Sequence, residues 1–209
     1  QKYDAIRREA ITDPLTNLYN RRFFEARGRE EIEHSLRHRE PLTILMFDVD
    51  HFKDINDTYG HQTGDKVLQA IAQYLKDQTR TSDICGRYGG EEFALLLPGC
   101  PLEKGRQIAD DLARAVAENR FVWKDRIHTI GASIGLVEVS RDSGSVEEII
   151  AAADSACYVA KKRGEGKVAV YSARDEAVAR QSGDIQWLRT LQTALRENSF
   201  CLYWQPIVP

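Results

Sequence analysis

The 209-residue sequence predicts an α+β fold, a ferredoxin-like and palm-like βαββαβ core whose mostly antiparallel central sheet is flanked by helices. Three observations carry that expectation. Leu42–Phe47 and Ala94–Leu97 are unbroken apolar runs bounded by turn-forming residues, the pattern of strands buried on both faces. Apolar residues recur at helical spacing around Val67–Leu75, Ile108–Val116 and Ile149–Ala160. Between the first two of these helices, Ile84–Arg87 and Ala94–Leu97 flank Gly89-Gly90 as the arms of a hairpin.

Taken in order, residues 1–10 are charge-rich with Tyr3, Ile6 and Ala10 at helical spacing, an exposed helix leading into the domain. The start without Met reads as the end of an upstream linker. Residues 12–24 are a turn-rich wrap in which Asn20 caps a helix over Arg21–His38, and Pro41 ends it. The strand Leu42–Phe47 finishes in Asp48-Val49-Asp50, so pleat alternation sends Asp48 and Asp50 to one side at the sheet edge. Residues 52–65 are polar and read as a loop, the usual wall of a ligand site. Helix periodicity begins at Lys66, with Val67, Leu68, Ile71, Ala72 and Leu75 inward, and Arg80-Thr81-Ser82-Asp83 closes it. After the hairpin, which ends at Pro98, comes the helix of Ile108, Leu112, Ala115 and Val116. A β-rich stretch over Arg126–Val139 follows, where Gly131 and Gly135 suggest bulges or bends. The helix Val146–Arg163 and the short strand Lys167–Tyr171 complete the core. From 173 onward two helical segments and the strand-like Phe200–Ile207 read as a linker and the truncated start of another domain. The expected division is therefore 1–12, 13–172 and 173–209.

A net charge of −3 and a pI near 6.0, with no long Lys/Arg block, argue against a nucleic-acid binder. No apolar run reaches the roughly 18 residues of a membrane span, so no membrane contact is expected within this stretch. Cys85, Cys100, Cys157 and Cys201 show no CxxC or metal-ligand spacing, as suits reduced core thiols in a cytoplasmic setting.

Two strands that each end in acids, Asp48 and Asp50 on one and Glu91 and Glu92 on the other, form a carboxylate cluster if they are neighbours. Clustered carboxylates repel unless a cation lies between them, and hard oxygen ligands select Mg²⁺ or Mn²⁺. The plainer reading of Gly-Gly-Glu-Glu is a solvated turn whose acids guard a sheet edge.

Gly89-Gly90-Glu91-Glu92-Phe93 stands with Phe47-Asp48-Val49-Asp50-His51-Phe52-Lys53, Asn56-Asp57-Thr58-Tyr59-Gly60-His61, Gly64-Asp65 and Asp13-Pro14-Leu15-Thr16-Asn17-Leu18-Tyr19-Asn20-Arg21-Arg22. Together, over residues 13–171, these motifs resemble the GGDEF diguanylate cyclases in their Glu-Glu variant. The resemblance implies a nucleotidyl-cyclase-like palm that condenses two GTP into cyclic di-GMP as a homodimer, using Mg²⁺ or Mn²⁺. It implies metal binding by Asp48, the Val49 carbonyl and Glu91, and support from Glu92 and from Lys53 at the transition state. It also implies guanine reading by Asn56 and Asp65, with His61 and Phe52 in the same wall, phosphates lying against Gly89 and Gly90, and a phosphate contact from Lys161. Arg80 and Asp83 match the RxxD site at which cyclic di-GMP inhibits. Glu165 stands where the family often carries a basic residue, which implies weaker GTP binding unless Arg163 or Lys167 substitutes. Residues 187–209 resemble the opening of an EAL phosphodiesterase domain without its metal-binding acids. The competing reading is a silent GTP- or cyclic di-GMP-binding module that regulates such a phosphodiesterase.

Overall fold

The computed structural model describes residues 10–118, 121–123, 126–141, 143–164 and 166–172, and the side chains among these outside 121–128. The expected leading helix over 1–10 (up to residue 9), the segment from 173 onward, Glu165 and Cys201 lie outside the described residues.

The chain runs β1 (Tyr19–Asn20), α1 (Arg21–His38), β2 (Leu42–Val49), α2 (Phe52–Tyr59), α3 (His61–Gln78), β3 (Ile84–Arg87), β4 (Glu92–Pro98), α4 (Leu102–Glu118), β5 (Phe121–Trp123), β6 (Arg126–His128), β7 (Ala132–Glu138), α5 (Val146–Lys162) and β8 (Val168–Val170). Six strands form one sheet in the order β1-β3-β4-β2-β7-β8, while β5 and β6 pair separately. The four inner strands β3-β4-β2-β7 are antiparallel neighbours, and the parallel pairs β1·β3 and β7·β8 lie at the edges. This is the expected βαββαβ core with one short strand added at each side.

Pleat alternation along β2 divides the core in two. Leu45, Phe47 and Val49 join Val67, Leu68 and Ile71 of α3 and Ala109, Leu112 and Val116 of α4. Leu42, Ile44 and Met46 join Phe24 and Ile32 of α1 and Ile149, Ile150 and Ala153 of α5. Every residue of β2 is buried, because both faces carry helices. Phe47 and Phe93, both fully buried, meet edge to face with ring centroids 5.9 Å apart.

Local signals set the helix ends. Asn20 accepts a hydrogen bond from the Phe23 N–H at 3.0 Å and caps α1, which ends at His38, ahead of Pro41, with Arg39 left-handed at φ 57°. Ser145 and Glu148 form a reciprocal capping box on α5.

Four local expectations are corrected. Residues 52–65 are not a loop but two helices jointed at Gly60, whose φ of 84° breaks the run. Most of their polar residues face outward while Phe52, Thr63 and Gly64 are buried, so polarity there marked a solvated helix face. The β-rich 126–139 region is two strands with a break, and β5 pairs with the first of them. Tyr19–Asn20 within the expected wrap is a short strand parallel to β3. Gly135 is no bulge, since it lies in regular register opposite Met46. A Cβ there would stand 2.1 Å from the Ala153 carbonyl oxygen and 2.2 Å from the Cys157 nitrogen, so the missing side chain lets α5 press onto the strand.

Candidate functional site

The antiparallel register of β2 and β4 pairs Asp48 with Glu92, and the Val49 N–H donates to the Glu91 carbonyl at 3.3 Å. The two acid-ending strands are thus neighbours, as the cluster reading requires. Burial and the nearby Asp154, Asp48 and Glu91 raise the Glu92 carboxyl above its ordinary range. Burial also raises Asp48, against the lowering effect of Lys161. Lys161, in the last turn of α5, has its Nζ 2.7 Å from Asp48 Oδ1. The two form a short ion pair, and no further donor reaches this buried oxygen. Burial pulls the Lys161 ammonium down, but Asp48 outweighs it and the net shift is upward.

The turn before Glu91 is held from below. The Tyr88 and Gly89 N–H groups both donate to the Glu92 carbonyl, at 2.8 and 3.2 Å. Gly89 leaves room for the Glu92 carboxylate, which a Cβ would meet at 2.3 Å, whereas Gly90 opens to free space. Arg87 donates from Nε and Nη2 to the Gly90 carbonyl at 3.1 and 2.7 Å, and from Nη1 to both Asp13 oxygens at 3.2 Å. Asp13 also accepts from the Thr16 N–H and hydroxyl at 2.8 and 2.7 Å. Burial would raise the Asp13 carboxyl, but Thr16 and Arg87 bring it below its usual range.

Asp50 is placed differently from Asp48. It is 7% exposed, its Oδ1 accepts from the Ser133 hydroxyl at 2.7 Å, and its Oδ2 accepts from the Gly166 N–H at 2.9 Å. The expected four-acid cluster therefore divides, with Asp50 engaged by the protein itself.

On the other side of the strand ends, α2 and α3 carry the remaining expected residues. Lys53 is exposed in the first turn of α2, and His61 and Asp65 are exposed one turn apart on α3. Asn56 is half-buried, its Oδ1 lying 2.1 Å from where a Gly64 Cβ would stand, so Gly64 is what lets this amide sit between the helices. Phe52, at 8% exposure, is a core residue that fixes the angle of α2.

Arg80 and Asp83 form a closed turn, with the Arg80 N–H donating to Asp83 Oδ2 at 2.8 Å and the Asp83 N–H to the Arg80 carbonyl at 3.0 Å. A cavity of about 730 Å³ lies beside this turn, lined in part by Lys76, Thr79, Asn17 and Tyr19. It is separated from the carboxylates by the length of β3.

The donor set suits a hard divalent cation. Among the described residues no three His, Cys, Asp or Glu side chains converge on one point. A cation here would use one or two carboxylates and the Val49 carbonyl, and would complete its shell with oxygens of a bound anion, which is the habit of Mg²⁺. The buried Oδ1 of Asp48, which faces the Lys161 ammonium and no further donor, is the observation that fits it.

Sequence reasoning missed the Asp13–Arg87 brace, the Asp50 contacts and the Asp48–Lys161 pairing. Each joins residues more than 70 positions apart, and no local pattern reports such a partner.

Residues 10–167 match the family described as diguanylate cyclase, GGDEF domain. Over 164 residues, 78% of this chain, the sequence is 40% identical to the diguanylate cyclase DgcP of Pseudomonas aeruginosa. Over 182 residues, 85% of this chain, it is 37% identical to the probable diguanylate cyclase DgcE of Escherichia coli. The aligned part spans only 24% and 16% of those two relatives. Among solved structures, the coiled coil and GGDEF domain of DgcB from Caulobacter crescentus in complex with c-di-GMP superimposes with a TM-score of 0.76 at 28% identity, covering 81% of this chain and 90% of that one. The active GGEEF domain of a diguanylate cyclase from Vibrio cholerae gives 0.69 at 31% identity, covering 73% and 97%.

Proposed function

Because this chain belongs to the diguanylate cyclase GGDEF-domain family, we propose that it condenses two molecules of GTP into cyclic di-GMP with release of pyrophosphate, as a homodimer in which each half brings one GTP. The observation that carries the site assignment is Asp48. It is a buried carboxylate paired in register with Glu92, and its Oδ1 is held by the Lys161 ion pair with no further donor.

In this reading Asp48, the Val49 carbonyl and Glu91 hold Mg²⁺ or Mn²⁺. The ion, when bound, offsets charge on the phosphates and lowers the pKa of the attacking ribose 3′-hydroxyl. Gly89 and Gly90 present bare backbone to the phosphates, with Gly90 facing open space. Lys161 and Lys53 supply positive charge to the phosphates from α5 and α2. Asn56 and Asp65, an amide and a carboxylate, match the acceptor and donor edge of guanine, with His61 beside them. Glu92, whose carboxyl is raised by burial and by the neighbouring acids, supports the site beside the ion. Arg80 and Asp83 bind cyclic di-GMP as an inhibitor at the turn beside the 730 Å³ cavity.

The test incubates the chain, dimerised through a fused coiled coil, with GTP and Mg²⁺, and follows cyclic di-GMP and pyrophosphate. Glu91→Ala is expected to abolish product, and Arg80→Ala to relieve inhibition at high product. Absence of product from the dimeric Arg80→Ala protein would sink the cyclase reading. Binding of GTP without turnover would instead favour a regulatory module.

A further inference from the structure

Asp50 sits two residues from Asp48, yet its surroundings assign it other work. Its own N–H donates to the Gly131 carbonyl at 3.0 Å, and a Cβ on Gly131 would come within 2.7 Å of its Oδ2. Its two oxygens accept from Ser133, fully buried at the start of β7, and from the Gly166 N–H in the segment between α5 and β8. One buried side chain thus ties three places together: the end of β2, the entry to β7 and the chain that leaves α5. Gly166 has φ 65° and Gly164 has φ 117°, conformations in which the backbone of this segment does not set its own path. The first contact made by the regular structure beyond it is the Ile134 N–H donating to the Lys167 carbonyl at 2.9 Å. Asp50 thus fastens the turn at Gly166 from outside it.

We propose that Asp50 is a positioning residue rather than a metal ligand: by holding Gly166 it fixes the chain between Lys161 and Lys167, two basic residues that flank the strand ends where the nucleotide phosphates bind. The inference rests on the nucleotide-site reading above. It separates the two aspartates of Asp48-Val49-Asp50 by what their oxygens touch. The Oδ1 of Asp48 faces a cation, the Lys161 ammonium, whereas both oxygens of Asp50 are engaged by neutral donors.

The distinguishing variant is Asp50→Asn. A side-chain amide still accepts from the Gly166 N–H through its oxygen and donates to the Ser133 hydroxyl through its nitrogen, so the tether survives while the charge is lost. In the full 209-residue chain, amide exchange across residues 164–168 is measured without nucleotide. Affinity for the α,β-methylene analogue of GTP with Mg²⁺, and of Mn²⁺ in its presence, is measured alongside. Asp50→Ala is expected to speed exchange at Gly166 and to weaken analogue binding by about 10–100-fold, as loss of an outer-shell support does. Asp50→Asn is expected to stay within about threefold of the parent in both, and Ser133→Ala to fall between. If Asp50→Ala fails to fold, Asp50→Asn and Ser133→Ala decide the matter. Loss of Mn²⁺ affinity in Asp50→Asn with Gly166 exchange still slow would make Asp50 a ligand and overturn the proposal, as would unchanged exchange in Asp50→Ala. A parent chain that does not bind the analogue at all would defeat the nucleotide-site reading instead, and the exchange measurement would still judge the tether.

Discussion

Two aspartates beside the same Gly-Gly turn are each paired with a basic side chain, and the pairs behave oppositely. Asp13 meets Arg87 with both side chains 18% exposed, and the Asp13 carboxylate is further satisfied by two donors from Thr16. Its pKa is lowered, the mark of an acid whose charge the fold has accommodated. Asp48 meets Lys161 at a shorter 2.7 Å, yet its pKa is raised and its near oxygen has no donor beyond that ammonium. Burial raises both carboxyls; at Asp13 the donors of Thr16 and Arg87 outweigh it, whereas at Asp48 Glu91 and Asp50 add to it and Lys161 does not offset it. A fork of guanidinium N–H groups can bond a carboxylate and a carbonyl at once, while an ammonium presents a point charge on a flexible stem. The first arrangement braces the turn, and the second leaves an acid ready to exchange its partner for a cation of higher charge.

The sharpest way to break this contrast is Asp48→Ala. It is expected to lower cyclic di-GMP formation about 10³-fold or more while the thermal midpoint of the nucleotide-free protein does not fall. Product chromatography and a melting curve on the same sample check it, and an active variant would show that Asp48 is not the exchangeable acid. Arg87→Met attacks the other pair and should act on stability first. It is expected to cost about 2–3 kcal/mol in urea unfolding, because it leaves Asp13 and the Gly90 carbonyl short of donors. Combined with Asp13→Ala it should cost less than the sum of the two single changes.

A smaller effect of opposite sign is expected from Glu92→Gln, which removes a charge from the raised-pKa side. An acid whose folded pKa lies above its unfolded value contributes stability that is fully present below the unfolded pKa and lost as pH rises through the folded one. Glu92→Gln should therefore raise the melting temperature of the metal-free protein at neutral pH by a few degrees, with the gain vanishing as the buffer is taken below the ordinary carboxylate range. A gain that persisted at acid pH would point to packing instead. Least affected should be stability in Arg80→Ala. The Arg80 backbone N–H, not its side chain, closes the turn with Asp83, so unfolding should change by no more than about 0.5 kcal/mol while inhibition by cyclic di-GMP is lost.

Much of this arrangement is legible in the residues alone. The apolar runs at 42–47 and 94–97 place two acids at strand ends, and their adjacency follows once the βαββαβ order is read, because that order sets β2 beside β4. What remains hidden is of three physical kinds. The polar stretch over 52–65 hides two helices because its solvent face outnumbers its buried residues and Gly60 interrupts the period. Strands of two or three residues, such as Tyr19–Asn20 and Phe121–Trp123, are too short to show alternation. And the partners of Asp13, Asp48 and Asp50 are 74, 113 and 83 or 116 positions away, so only the folded chain selects them.

The close seating of α5 on Gly135 has a consequence of the kind a surveyor would recognise. With helix backbone against strand backbone, that contact serves as a fixed datum from which positions on both elements are measured. Cys157 lies on it, and Lys161 is one helical turn further along. On the strand side Ser133 is two residues back, opposite Asp48. Slippage of the helix by one turn would carry Lys161 about 5.4 Å from its aspartate. A methyl group at 135 would lift the datum itself, so the calibration of a charge pair at the sheet edge is kept by a residue in the middle of β7 that has no side chain.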